Sequence, residues 1–234
     1  VDLVVDNSAI YRLQLDENMR LASEEKVAGF PFISHLSSAT EEGDWLINAV
    51  DDLQGTAKLY GWNADSGEFK LLQARSSVVD HISRSVYSPS GQRLASAVLF
   101  NASDFRLEVQ DVQSKHTLYS EKIAGRVDRL EWLDEESLIV LDDKQGLVFV
   151  ELASNSQRVM LEHGDEKIQD FAIVRSEQRL LVLRNEFLSE PVFHELSLSL
   201  ESAADRIINV PNGVRRLNYA ESEQWYFGLI KQQD

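Results

Sequence analysis

A short apolar strand preceded by a turn recurs about every 44 residues along this chain of 234, and that repeat constrains the fold more than any other feature. The segments Trp45-Leu46-Ile47-Asn48-Ala49-Val50, Arg93-Leu94-Ala95-Ser96-Ala97-Val98, Ser137-Leu138-Ile139-Val140-Leu141, Arg179-Leu180-Leu181-Val182-Leu183 and Trp225-Tyr226-Phe227-Gly228-Leu229-Ile230 align with one another. Taking Leu46, Leu94, Leu138, Leu180 and Tyr226 as equivalent gives spacings of 48, 44, 42 and 46 residues. Periods of roughly 40 to 50 residues built from short strands mark propeller blades, because a lone four-stranded sheet cannot bury both of its faces.

Four strands can be placed in each full unit by their period-2 alternation. They are predicted at residues 32–38, 45–50, 57–62 and 69–74; at 84–87, 93–100, 105–112 and 116–121; at 127–133, 138–142, 146–152 and 158–162; and at 168–174, 179–183, 192–198 and 206–210. The ends carry complementary fragments, strands at 1–6, 9–15 and 19–23 and strands at 214–219 and 225–230. The expectation is an all-β chain, a β-propeller of four-stranded blades forming a single domain over 1–234. Five blades with a shared closing blade need the fewest assumptions and leave one surplus strand; part of a six- to eight-bladed propeller is the alternative.

A hydrophobic fraction of 43% and a charged fraction of 26% suit a packed core. No apolar run reaches the roughly 18 residues a membrane helix needs. The chain starts at Val1 without a basic-then-apolar leader, so an anchor elsewhere in a longer protein stays open. With 23 Lys plus Arg against 39 Asp plus Glu, the net charge of −16 repels a phosphate backbone, so direct nucleic-acid contact is not expected. There is no cysteine, which excludes disulfides, thiolate catalysis and zinc-thiolate sites and leans towards an oxidising compartment.

One unit carries a fuller pattern, Tyr87-Ser88-Pro89-Ser90-Gly91-Gln92-Arg93-Leu94-Ala95, followed after a strand by Gln110-Asp111-Val112-Gln113-Ser114. It resembles the repeat of TolB-type, WD40-like propellers, and Asn63-Ala64-Asp65-Ser66-Gly67 resembles the loop after that family's third strand. Where the family has proline, the other units have Ala39-Thr40-Glu41-Glu42-Gly43, Leu133-Asp134-Glu135-Glu136 and Val174-Arg175-Ser176-Glu177. Units of this kind are similar to those in the periplasmic sensor portions of membrane-bound winged-helix regulators of the ToxR and CadC kind and in bacterial envelope scaffolds. The resemblance implies binding, a protein partner and a periplasmic location, with the cytoplasm as the alternative.

Motifs that carry chemistry are mostly missing: no nucleophile elbow, no phosphate-binding glycine loop. His194-Glu195 would open a zinc-protease pair only if position 198 were histidine, and it is Leu198. His35, His81, His116, His163 and His194 fall in different units without metal-ligand spacing, so no metal or cofactor is expected. Asp6, Asp51-Asp52 and Asp142-Asp143 follow equivalent strands; they could gather on one rim and bind calcium, or serve as turn residues whose side chains bond the backbone. Trp45, Trp62, Trp132 and Trp225 read as blade-packing residues.

The candidate partner-binding residues are Arg84, Asp128, Arg129, Asp170, Arg215 and Arg216, on or beside the first strand of each unit, which in a propeller lines the central channel. They either meet a partner or pair with each other and hold adjacent blades together. The functional expectation is a non-catalytic interaction or sensory module, the extracytoplasmic part of an envelope or signalling protein. The alternative is the propeller of an enzyme, a gate for a prolyl-oligopeptidase-like hydrolase or a hydrolase using channel carboxylates.

Overall fold

The structure, a computed structural model, describes residues 2–5, 9–15, 21–38, 44–50, 56–63, 66–75, 81–100, 103–165, 167–175, 178–185, 192–197, 206–209, 214–220 and 225–230. Two compact units divide the chain, Val1–Ile123 and Ala124–Asp234. Among the described residues the regular elements are β-strands, and no helix is long and apolar enough to cross a membrane.

The first unit holds three antiparallel sheets. β1 (Asp2–Val5), β2 (Ala9–Leu15) and β3 (Leu21–Gly29) form a three-stranded sheet; β4 (Phe32–Ser38), β5 (Asp44–Val50), β6 (Ala57–Asn63) and β7 (Phe69–Arg75) form a four-stranded one. β8 (His81–Tyr87), β9 (Arg93–Phe100), β10 (Asp104–Asp111) and β11 (Thr117–Lys122) form the next. The second unit repeats the plan with β12 (Val127–Trp132), β13 (Ser137–Asp142), β14 (Gly146–Glu151) and β15 (Ser156–Glu162), then β16 (Lys167–Val174), β17 (Arg179–Asn185), β18 (Val192–Ser197) and β19 (Arg206–Asn209). It closes with the pair β20 (Val214–Ala220) and β21 (Trp225–Ile230). Each four-stranded sheet is a simple meander, sequence neighbour pairing with sequence neighbour, which is the connectivity of a propeller blade.

The second strands β5, β9, β13 and β17 of the four-stranded sheets are mainly apolar and are buried along most of their length. All six residues of β13 are buried, and Leu180, Leu181, Val182 and Leu183 of β17 are at most 2% exposed. Alternation divides them between layers. In the first unit Ile47 and Ala49 pack with Ile10, Ile33 and Trp62, whereas their neighbour Leu46 packs on the other side with Leu59, Ile82 and Leu94. In the second, Ile139 and Leu141 meet Ile168, Phe171, Ile173, Leu180 and Val182. Each fully buried aliphatic side chain contributes roughly 1.5–3 kcal/mol to folding.

Turn chemistry sets the hairpins. In Ser88-Pro89-Ser90-Gly91 the Gly91 amide bonds Ser88 O at 2.8 Å with glycine at φ 71°, and the Ser88 hydroxyl accepts the Arg93 amide at 3.2 Å. After the third strands β6 and β10 a second turn recurs, with Gly67 N to Asn63 O at 2.9 Å and Lys115 N to Asp111 O at 3.0 Å, and after β14 a tighter one joins Asn155 N to Leu152 O at 3.2 Å. The last residue of each takes positive φ whether glycine or not, 72° at Gly67, 61° at Lys115 and 51° at Asn155. Trp62 and Trp132 are buried and Trp45 packs against the first-unit core; the Trp225 side chain lies outside the described residues.

Strand ends differ most from expectation at two places. β3 runs on to Gly29, although Glu24, Glu25 and Lys26 give it no apolar pattern, because as an outer strand it needs only backbone pairing to β2. β8 begins three residues earlier than predicted, at His81, where a bulge interrupts the alternation by which strands are recognised.

Candidate functional site

One irregularity repeats in the first strands of the sheets beyond β3. The pairing of β4 with β5 slips between Ile33 and His35, of β8 with β9 between Ile82 and Arg84, and of β12 with β13 between Val127 and Arg129. The same slip lies between Ile168 and Asp170 in β16 and between Val214 and Arg216 in β20. A bulge adds one unpaired residue, bends the strand and re-aims the side chains beyond it. The residue before it is aliphatic each time, and the residue after it is His35, Arg84, Arg129, Asp170 or Arg216, all polar.

Within each unit two of these post-bulge residues meet across neighbouring sheets. In the first, Arg84 Nη1 donates to His35 Nδ1, which requires the imidazole to be neutral with its proton on Nε2. Ser37 Oγ reaches Ser85 O at 2.9 Å, and Asn48 Nδ2 reaches Ser85 Oγ at 3.2 Å, binding the same two sheets together. In the second, Arg129 Nη1 donates to Asp170 Oδ1 at 2.8 Å and Nε to Glu131 Oε1 at 2.6 Å, with the guanidinium 5.3 Å above the Phe171 ring. Asp170 is fully buried, and Arg129 keeps 16% of its side chain exposed. Burial opposes the charge on Arg129, but the Glu131 and Asp170 carboxylates more than offset it and hold the pKa above the usual arginine value. By sign, a base with a raised pKa contributes its stability at every pH below the arginine range, so Arg129 itself does not switch across neutral pH.

Asp128 occupies the bulge and takes no part in that triad; its Oδ1 accepts from Arg126 Nε at 3.1 Å, and both residues retain exposure. Arg215 holds the equivalent bulged position of β20, and the side chains of Arg215 and Arg216 lie outside the described residues. Of the six residues expected on the first strands, the structure therefore brings Arg129 and Asp170 together and pairs Arg84 and Asp128 with other residues. His35 and Glu131, which complete these contacts, are not among the residues that sequence reasoning selects. The signal for His35 is present as aliphatic-x-polar at one offset in every unit, Ile33-Ser34-His35 beside Ile82-Ser83-Arg84.

The acidic position after β13 works as a turn. Asp142 Oδ1 accepts the Lys144 and Gln145 amides at 2.8 and 2.9 Å, and Oδ2 accepts the Gly125 amide at 2.7 Å. Asp143 Oδ1 takes the Arg126 amide at 2.8 Å. The two carboxylates clamp the hairpin onto the segment entering β12. Asp6 and Asp51-Asp52 lie outside the described residues. His163 is structural as well, with Nε2 donating to Asp142 O at 2.7 Å and Nδ1 accepting the Ile168 amide at 3.2 Å.

Comparison with solved structures places this arrangement. The chain superposes on Sqt1 of Saccharomyces cerevisiae with a TM-score of 0.62 at 11% identity, covering 97% of this chain and 65% of that one. The Dos1 propeller gives 0.61 at 10% identity, covering 92% and 58%. The fold is that of a β-propeller. A chain of the mitotic checkpoint complex gives 0.59 at 17% identity, covering 80% and 55%. This chain thus spans between 55% and 65% of the length of these matched chains. No protein-family profile and no curated protein matches its sequence.

Proposed function

We propose that the chain is a non-catalytic protein-interaction module, and the observation that carries this is how its buried polar groups are used. Asp142, Arg129 and Asp170 are occupied in holding hairpins and sheets together, and among the described residues no three His, Asp or Glu side chains converge as a metal-binding set. A nucleophile, base or metal centre needs convergent groups with spare capacity. Interaction surfaces on repeated sheets are instead assembled from loops of several repeats and need no short motif. The likeness to a chain taken from a multi-protein assembly, the mitotic checkpoint complex, supports the same direction. The net charge of −16 favours a partner surface with basic character over nucleic acid.

The bulged positions of the second unit's first strands are the proposed contact surface, with Asp128 and Arg215 the informative ones. Substituting Arg129 or Asp170 would confound binding with unfolding. Asp128→Asn combined with Arg215→Ala is expected to leave the melting temperature in place while weakening the complex formed with the chain's partner. Retained binding by that double variant would move the contact elsewhere, and hydrolysis by the purified chain, lost on removing one carboxylate, would overturn the non-catalytic reading. A sensory role in the bacterial envelope extends the proposal on the strength of the repeat resemblance alone. Fractionation of the source cells tests it, a cytoplasmic protein being the contrary result.

A further inference from the structure

Strand β7 ends its sheet, so one row of its backbone amides and carbonyls has no neighbouring strand in that sheet. Phe69 lies opposite Trp62 and Leu71 opposite Tyr60, which puts all four on one face. Phe69 stacks on Trp62 at 5.8 Å, and Phe30 leans over Tyr60 at 5.5 Å and over Phe69 at 6.1 Å. That aromatic face continues the core layer of Ile10, Ile33 and Ile47 outward, yet stops unfinished, with Phe69 42% and Leu71 51% exposed. Phe32, also exposed, belongs to β4 at the opposite edge of the sheet and is no part of this surface.

Charge distinguishes the edge from most of its counterparts. Strands β6 and β7 carry Lys58, Lys70 and Arg75 and no acidic residue, in a chain with 39 acidic and 23 basic side chains. The outer strands β3, β11 and β15 carry glutamate, as Glu24 and Glu25, Glu121 and Glu162. The outer strand β19 has none, but it is only 4 residues long and so presents a short edge. A lysine on an exposed edge discourages pairing with a second copy, which would bring like charges together, and the net charge of −16 adds to that repulsion. The same lysine attracts a strand of opposite charge.

We propose that the β7 edge docks an extended segment of a partner protein in which apolar and acidic residues alternate, added as a further strand of the sheet. Its backbone pairs with β7, its apolar side chains complete the Phe69 and Leu71 face, and its carboxylates lie on the other face beside Lys70. This rests on the reading of the chain as an interaction module and names a second surface with its partner chemistry.

The probe is a fluorescein-labelled heptapeptide alternating leucine or phenylalanine with aspartate or glutamate, titrated into the whole chain. Saturable binding is expected, slowed amide exchange within Phe69–Arg75 on adding peptide, and about tenfold weaker binding for both Leu71→Asp and Lys70→Glu. Leu118→Asp, at an equally exposed site on β11, is expected to bind like the parent. If Leu71→Asp fails to fold, Lys70→Glu decides alone. Absence of saturable binding, parental affinity in both edge variants, or a dimer that protects β7 without peptide overturns the proposal. If the peptide does not bind while Lys70→Glu still retains the native partner, the edge proposal alone fails; loss of any partner defeats the broader reading.

Discussion

Arg129 shows how a single polar residue can hold two sheets. Its partner Asp170 is fully buried, so removing the arginine leaves a carboxylate with no compensating charge in the interior. Arg129→Met is expected to lower unfolding stability by about 3–5 kcal/mol in denaturant titration, and Arg129→Met with Asp170→Leu to recover most of that loss. Additive losses in the double variant would show that the pair is not coupled. Gly125 is fixed by its neighbours, since a Cβ there would sit 2.1 Å from Asp143 Oδ1 and 3.1 Å from Asp142 Oδ1. Gly125→Ala should therefore destabilise by about 2 kcal/mol as the clamp made by Asp143 and Asp142 opens, whereas an unchanged midpoint would mean that the clamp contributes nothing. Lys115 lies at φ 61°, where a side chain costs roughly 1 kcal/mol. Lys115→Gly should raise the melting temperature; a lower value would show that the extra freedom in the unfolded chain outweighs the strain relieved.

At the scale of the element, what can be read in the sequence follows burial. The second strands repeat visibly because they are mainly apolar and buried along most of their length, as in Leu138-Ile139-Val140-Leu141. Outer strands face solvent and carry little pattern, which is why β3 extends six residues past its predicted end at 23 and β15 starts at Ser156, ahead of the predicted 158. Proline and glycine punctuation makes the Ser88–Gly91 turn legible. The bulges escape a period-2 reading because they interrupt that period, and with them go the contacts of His35 and Glu131. Arg129 and Asp170 are legible as charged residues on an inner strand, while their joining depends on packing between sheets. The burial gradient predicts that Leu138→Ala costs roughly 2–5 kcal/mol and Val159→Ala, 39% exposed on β15, under about 0.5 kcal/mol. Comparable losses at both positions in denaturant unfolding would contradict the assignment of inner and outer strands.

For the whole molecule, reading residues 1–234 as a single domain predicts one cooperative thermal transition, with calorimetric and van't Hoff enthalpies in agreement. Two separate transitions would show that Val1–Ile123 and Ala124–Asp234 melt independently. The propeller fold hosts both binding and chemistry, so function rests on what the chain does with its surfaces. Native mass spectrometry of the chain purified from its own source decides between the two. An interaction module should appear bound to a second polypeptide at fixed stoichiometry, with no turnover. A protein recovered without any partner that converts a substrate unaided would contradict it.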